Sequence, residues 1–246
     1  MASPLKQFDL TPVGQIGGFY LTNSTVWMVI TLVAIPFFFW LAMKRHALVP
    51  GRLQSTGEIL INFVADMIRS VCGPEGMKYF PFVFALFTFV LFGNLFGMLP
   101  LGTAGFTITS HIAVTFALAM LVFIGVTVIG IMRHGTHFFS LFLPHGVPGF
   151  LVPIIIPIEV FSYCIRPVTL AVRLFANMTA GHILLKMFAI FTAAFVGGGG
   201  ILVLGGIAPF AMASVFILFE IFVAFIQAYI FAILTCVYLN DAINLH

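Results

Sequence analysis

Long apolar runs separated by short polar clusters dominate this chain. They cover about Ser24–Met43, Phe80–Leu99, Ile112–Met132, Phe150–Phe195 and Ala208–Asn240. About 20 apolar residues in a helix cross a bilayer core of about 30 Å. The first three runs therefore read as single spans. The last two are too long for one perpendicular crossing, and each is either two short spans or one long, steeply tilted helix. Gly197–Gly200 and Gly205–Gly206 break the sequence between them.

One segment has a different period. Over 52–72, Glu58, Asn62, Asp66 and Arg69 recur at spacings of four, four and three. Leu60, Phe63, Val64, Met67, Ile68 and Val71 fall on the opposite side. This pattern predicts an amphipathic helix at the membrane interface or the base of the bundle, with a solvated charged face. Residues 1–23 read as an extended or irregular tail.

Composition settles the class. Hydrophobic residues make up 62% of the chain and charged residues 7%, against about 25% charged in soluble domains; the mean hydropathy is +1.20. A β-barrel would show alternating segments of about ten residues, and the continuous runs exclude that pattern. The fold class is thus an all-α polytopic membrane protein, with about five membrane-embedded helices plus one amphipathic interfacial helix. The whole of 1–246 is expected to be one membrane domain: an outer-side tail (1–23), a first span (24–43), the amphipathic helix (52–72), a two-span hairpin (80–132) and a long helical hairpin (150–240). Lys44, Arg45, His46 and Arg52 follow the first span, and Arg133, His134 and His137 follow the third. Positive loops mark the inner side, which puts the N-terminus outside. No cleavable leader is expected. Cys72, Cys164 and Cys236 lack metal-ligand or CxxC spacing and read as apolar filler. Nothing in the charge pattern suggests nucleic acid.

The polar residues inside the two long runs carry the chemistry. Arg173 is the only Lys, Arg, Asp or Glu between Val168 and Leu185. A permanent cation there costs at least ~2.5–3.5 kcal/mol on insertion scales, so it faces a protein partner or water. Glu159, Arg166 and Arg173 are spaced by seven, and Asn177 follows Arg173 by four. Seven residues return a helical side chain to within about 20° of its start, so these positions form one stripe. Glu220 and Gln227 are also seven apart, with Tyr238 eleven further on and Asp241 at the end. Two such stripes favour two continuous long helices, although Pro167 removes a backbone hydrogen bond from the first. Arg173 cannot release a proton, whereas Glu220, His182, Glu159 and Asp241 can exchange one near neutral pH when their surroundings tune them. Asn177, Gln227 and Tyr238 can order water. One fixed cation among titratable groups reads as a proton path with an electrostatic gate. A static ion pair of Arg173 with Glu220 or Glu159 remains the structural alternative. Arg166 and Lys186 read as snorkelling or interface charges, His111 as a turn residue, and Asn94 as a helix–helix hydrogen-bonding group.

The stretch PVTLAVRLFANMTAGH, Pro167–His182, closely resembles the signature of subunit a of rotary F-type ATP synthases, of mitochondrial and alphaproteobacterial type. NLFGMLP (Asn94–Pro100), IQAYIFAILTCVYL (Ile226–Leu239) and SPLKQFDL (Ser3–Leu10) are similar to further segments of that family, in the same order. Where many bacterial members carry Glu and His, this chain has His182 and Glu220, the two types exchanged. Ala176 replaces the family's usual Gly before the Asn.

The resemblance implies a non-catalytic, proton-conducting subunit without cofactor or metal. It implies that the long helical hairpin lies tilted against a ring of small helical-hairpin c subunits, each bearing one essential carboxylate, and that peripheral-stalk b subunits attach. Arg173 would face the ring carboxylate and separate two half-channels. Glu220, His182, Asn177 and Gln227 would line the outer one; Glu159, Asp241 and Tyr238 would serve the inner one. The location implied is a bacterial inner membrane or a mitochondrial inner membrane, with the C-terminus inside. Three rival classes have weaker support. A secondary transporter calls for internal repeats, a haem subunit for paired membrane histidines, and a hydrolase for a motif such as HExxH or GxSxG; none is evident in the sequence.

Overall fold

The structure, a computed structural model, describes residues 12–16, 19–44, 50–98, 107–142 and 150–244. The SPLKQFDL segment, Arg45, His46, Pro100, most of the turn before Thr107, and the loop carrying Pro144, His145 and Pro148 lie outside the described residues. Within the tail read as extended or irregular, Pro12–Ile16 (β1) and Phe19–Thr22 (β2) pair as an antiparallel ribbon, with Ile16 opposite Phe19.

The rest is helical: α1 (Asn23–Met43), α2 (Arg52–Cys72), α3 (Phe80–Gly97), α4 (Ile112–His134), α5 (Val152–Gly197), the single turn α6 (Leu202–Gly205) and α7 (Ile207–Ile243). Tight 3-10 turns precede α3 (Pro74–Tyr79) and follow α4 (Gly135–Phe142), where the sequence pattern predicted only connections. Among the described residues, five helical stretches are long and apolar enough to cross a membrane, the last two running over Val152–Gly197 and Leu202–Ile243. α2 is the amphipathic exception: Glu58, Asn62, Asp66 and Arg69 are exposed while Val64, Ala65, Met67 and Ile68 are buried.

α5 runs unbroken for 46 residues through Pro157 and Pro167, a length of about 69 Å at 1.5 Å per residue. A proline deletes one backbone hydrogen bond, and the bonds around these two suffice to keep α5 one helix. Its end is made by glycine: Gly198 N–H reaches Ala194 O, and Gly199 and Gly200 take φ of +65° and +57°, a region that L side chains avoid. α6 and the start of α7 then double back, with Gly205 and Gly206 packed against Phe195.

The chain divides into two compact units. The first comprises Met1–Ile35, Phe89–His111 and Leu174–Ala228. Its interior mixes apolar and polar groups: Leu174, Met178, Ala224 and Ala228 are buried along with Asn94, Thr107, Thr109, Glu220 and Gln227. The second comprises Pro36–Thr88, Ile112–Arg173 and Tyr229–His246. Its interior is more apolar, with Val64, Ile68, Phe87, Val122, Phe138 and Phe231 buried. There the Phe63 ring sits 5.7 Å from both Phe87 and Tyr229. Small residues let helices approach closely in apolar surroundings; Gly130 of α4 faces Ala242 of α7 and leaves room for the Phe138 ring.

Candidate functional site

In the first unit, α5 and α7 run antiparallel. Phe188 packs on Phe216 with ring centres 5.3 Å apart, and six residues earlier on α5 His182 meets Glu220 of α7. His182 Nδ1 lies 3.2 Å from Glu220 Oε1, with side-chain exposures of 10% and 5%. Burial at this level costs a titratable pair much of its hydration, so each group depends on its partner. Neither Glu220 oxygen has a full hydrogen bond among the described residues. The approach depends on Gly181: a β-carbon there would stand 2.8 Å from Glu220 Oε1.

The other edge of His182 is also held. Thr107 Oγ1 lies 2.5 Å from Nε2. Thr107 stands at the end of the α3–α4 connection, in a short polar segment tied down by several bonds. Ser110 Oγ donates to Thr107 O (2.6 Å), Thr109 Oγ1 donates to Asn94 Oδ1 (2.6 Å), and Thr179 Oγ1 of α5 donates to Ser110 O (3.4 Å). Asn94 of α3, fully buried, donates in turn to Ala224 O of α7 (3.3 Å). His111 follows directly, and burial lowers its ring below the usual imidazole range.

Next to the pair, α5 and α7 line a half-open cavity of about 350 Å³, with Asn177, Gly181, Glu220 and Gln227 in its wall beside apolar neighbours such as Leu184 and Phe216. Asn177, Glu220 and Gln227 put polar groups into a mainly apolar lining, and the volume has room for several waters. The four residues grouped from the sequence for one half-channel, Glu220, His182, Asn177 and Gln227, thus meet around one cavity and one contact.

The second unit holds a different cluster. Arg166 Nη1 donates to Asp241 Oδ2 at 3.0 Å. Its guanidinium lies 5.3 Å from the Tyr163 ring centre and 5.0 Å from that of Tyr238, within cation–π range. Tyr163 OH shares a hydrogen bond of 2.7 Å with Thr127 Oγ1. Arg166, read from sequence as a snorkelling or interface charge, therefore ties α5 to α7. Glu159, half-buried on the same helix, has no hydrogen-bonded partner among the described residues. Arg173 lies on the exposed side of α5 with Val172, Ala176 and Asn177, while Leu170, Ala171, Leu174 and Met178 are buried. Among the described residues Arg173 forms no ion pair, and Glu220 pairs with His182 instead.

Thr107 and Gly181 were not singled out from the sequence. Gly181 left a trace: a glycine inside a helix costs about 1 kcal/mol relative to Ala, which calls for a packing reason. Thr107, in a connection without periodicity, left none.

Fold and site together define a polytopic α-helical membrane protein whose two longest helices bring titratable groups together beside a cavity with polar side chains in its lining. Residues 25–240 match the family model described as ATP synthase A chain. Over its full length the chain is 52% identical to ATP synthase subunit a of Rhodospirillum rubrum and 50% identical to that of Paramagnetospirillum magneticum, covering all of each relative. A subunit of the same name in Mesorhizobium japonicum is 50% identical over 98% of this chain and 96% of the relative. The chain belongs to the ATP synthase A chain family.

Proposed function

We propose that this chain is the proton-translocating subunit a of an F-type ATP synthase, a subunit with no covalent chemistry of its own. The observation that carries the reading is the buried Glu220–His182 contact of 3.2 Å beside a cavity lined by Asn177 and Gln227. Proton conduction needs groups that exchange protons, joined to a space that holds water. Glu220, His182, Asn177 and Gln227 form the outer half-channel; Glu159, Asp241 and Tyr238 serve the inner one. Arg173 falls between these groups along α5, after Glu159 and before Asn177.

The partner of Arg173 is a carboxylate on a ring of small helical-hairpin c subunits. A cation on an exposed, mainly apolar helix side, with no ion pair among the described residues, calls for a partner outside the chain, and Arg173 meets that description. A proton entering from outside reaches the ring carboxylate by way of Glu220 and His182. Neutralised, that site can move into lipid. A site arriving from the far side gives its proton to the inner half-channel and, now anionic, pairs with Arg173. Because Arg173 never titrates, it blocks direct passage between the channels without becoming a carrier. α5 is more than twice as long as the bilayer core is thick, which supports a steeply tilted helix laid along the ring. The chain sits in an inner membrane, with the N-terminus outside, the C-terminus inside and b subunits of the peripheral stalk attached. The alphaproteobacterial relatives favour the bacterial inner membrane.

The test is Arg173→Ala in the intact complex, assayed in membrane vesicles. Proton-driven ATP synthesis is abolished on this reading; synthesis at the wild-type rate overturns it. Purification in mild detergent should recover the chain with a ring of small hairpin subunits and a soluble ATPase head.

A further inference from the structure

The proton path proposed above needs His182 to exchange protons with Glu220 through Nδ1, which leaves the question of what happens at Nε2. A buried ring nitrogen is costly to leave without a partner in any of its states. Neutral imidazole exists as two tautomers, and the protonated ring carries N–H at both positions. Nε2 is therefore a donor in two of the three states and an acceptor in the third. A carboxylate or carbonyl partner serves only the donor states, and an ammonium or amide N–H serves only the acceptor state. A hydroxyl serves all three, because rotation about its C–O bond turns a donor into an acceptor.

That group is Thr107 Oγ1, 2.5 Å from Nε2, with Thr107 only 6% exposed. Its position is built. The Thr107 backbone oxygen is held by Ser110 Oγ. A β-carbon at Gly97 would overlap Thr107 Oγ1, just as one at Gly181 would crowd Glu220 Oε1. Two glycines on two helices thus make room for the two ends of a Thr107–His182–Glu220 row.

We infer that Thr107 is the positioning residue of the proton relay, holding Nε2 of His182 in every protonation state so that Nδ1 can both take a proton from Glu220 and return it. In the forward step the protonated Glu220 carboxyl transfers its proton from oxygen to Nδ1. This leaves a carboxylate and an imidazolium whose Nε2–H donates to Thr107 Oγ1. In the return step Nδ1–H gives the proton back. When the ring is instead neutral with its proton on Nδ1, the Thr107 hydroxyl turns and donates to Nε2. Thr107 carries no proton itself. Within the first unit, the other titratable groups on α5, α7 and the Thr107 segment are His111, at the end of that segment, and Lys186, one turn beyond His182 on α5. α3 adds none between Phe89 and Gly97.

The inference rests on the proposed proton path, and the experiment separates the two. Thr107→Ser and Thr107→Val are compared with Glu220→Gln in the intact complex in vesicles. Proton-driven ATP synthesis is measured across neutral pH on the outer side, and assembled subunit is quantified in parallel. Thr107→Ser should keep the wild-type rate and pH profile. Thr107→Val should assemble, lose roughly tenfold in rate, as for one lost buried hydrogen bond, and change the pH profile. If Thr107→Val does not assemble, Thr107→Ala makes the same comparison with less volume. A hydroxyl-free variant with wild-type rate and profile overturns the inference. So does a rate loss with an unchanged profile, or a serine variant as slow as the valine one. If Glu220→Gln also runs at the wild-type rate, the proton path fails as well; if it is slow beside a normal Thr107→Val, only the role of Thr107 fails.

Discussion

Gly181 and Glu220 face each other so closely that a β-carbon on the glycine would lie 2.8 Å from the Glu220 carboxylate. α5 thus gives up helix propensity at the point where α7 presents its buried acid. Gly181→Ala separates the two effects. Alanine favours the helix by about 1 kcal/mol, but it forces Glu220 away from His182 or off its rotamer, at a cost of about 1–3 kcal/mol typical of overpacking. The expected outcome is an assembled complex with proton-driven synthesis lowered several-fold, read by comparing the rate with the amount of assembled subunit. Wild-type synthesis would show that Glu220 has room to move without losing its role.

Asn94 makes a comparable prediction about structure. It is fully buried and joins Thr109 to the backbone of α7 through Ala224 O. Asn94→Ala leaves both partners buried without their bonds, at about 1–3 kcal/mol. Thermal unfolding of the purified complex should show earlier loss of this subunit. Asn94→Asp keeps the acceptor for Thr109 but loses the donor to Ala224 O, and should be no better.

The helices were legible because lipid enforces a simple code: long apolar runs with polar breaks. The amphipathic segment expected over 52–72 is α2, Arg52–Cys72, and the two overlong runs are single helices. The seven-residue spacings of Glu220 and Gln227 and of Glu159, Arg166 and Arg173 marked which helix sides are polar. Sequence spacing cannot show which residues meet across helices. His182 and Glu220 were grouped through the family pattern, but Thr107 beside His182 was not, because a connection has no period. Nor could spacing show what Arg166 meets, because its partners Tyr238 and Asp241 lie more than 70 residues on in the chain.

The Arg166–Asp241 pair is only partly shielded, with side-chain exposures of 27% and 32%. Partial solvation limits such a bridge to about 1 kcal/mol, and the two tyrosine rings add a cation–π share of about 0.5–1 kcal/mol. Asp241→Asn alone should therefore destabilise the complex only slightly, while Arg166→Met should cost more because it removes the bridge and both ring contacts. A double-mutant cycle on thermal stability checks this. A coupling energy near zero would mean that the bridge contributes nothing once both rings are in place.

The exchanged positions of acid and histidine give the most discriminating test. Many bacterial family members carry Glu where this chain has His182 and His where it has Glu220. If what matters is one carboxyl and one imidazole in contact at 3.2 Å, the direction of the pair is secondary. Glu220→His alone places two imidazoles together, and His182→Glu alone places two carboxyls together, so that like charges oppose full ionisation. Both single variants should lose most proton-driven synthesis, and the double variant should recover a substantial part of it. Recovery should be incomplete, because Gly181 is shaped to the Glu220 carboxylate and Thr107 Oγ1 to the His182 ring. A carboxyl in place of that ring leaves the hydroxyl with an acceptor that does not change tautomer. A double variant no better than the worse single one would show that each residue acts on its own, and that the contact between them is packing rather than a relay.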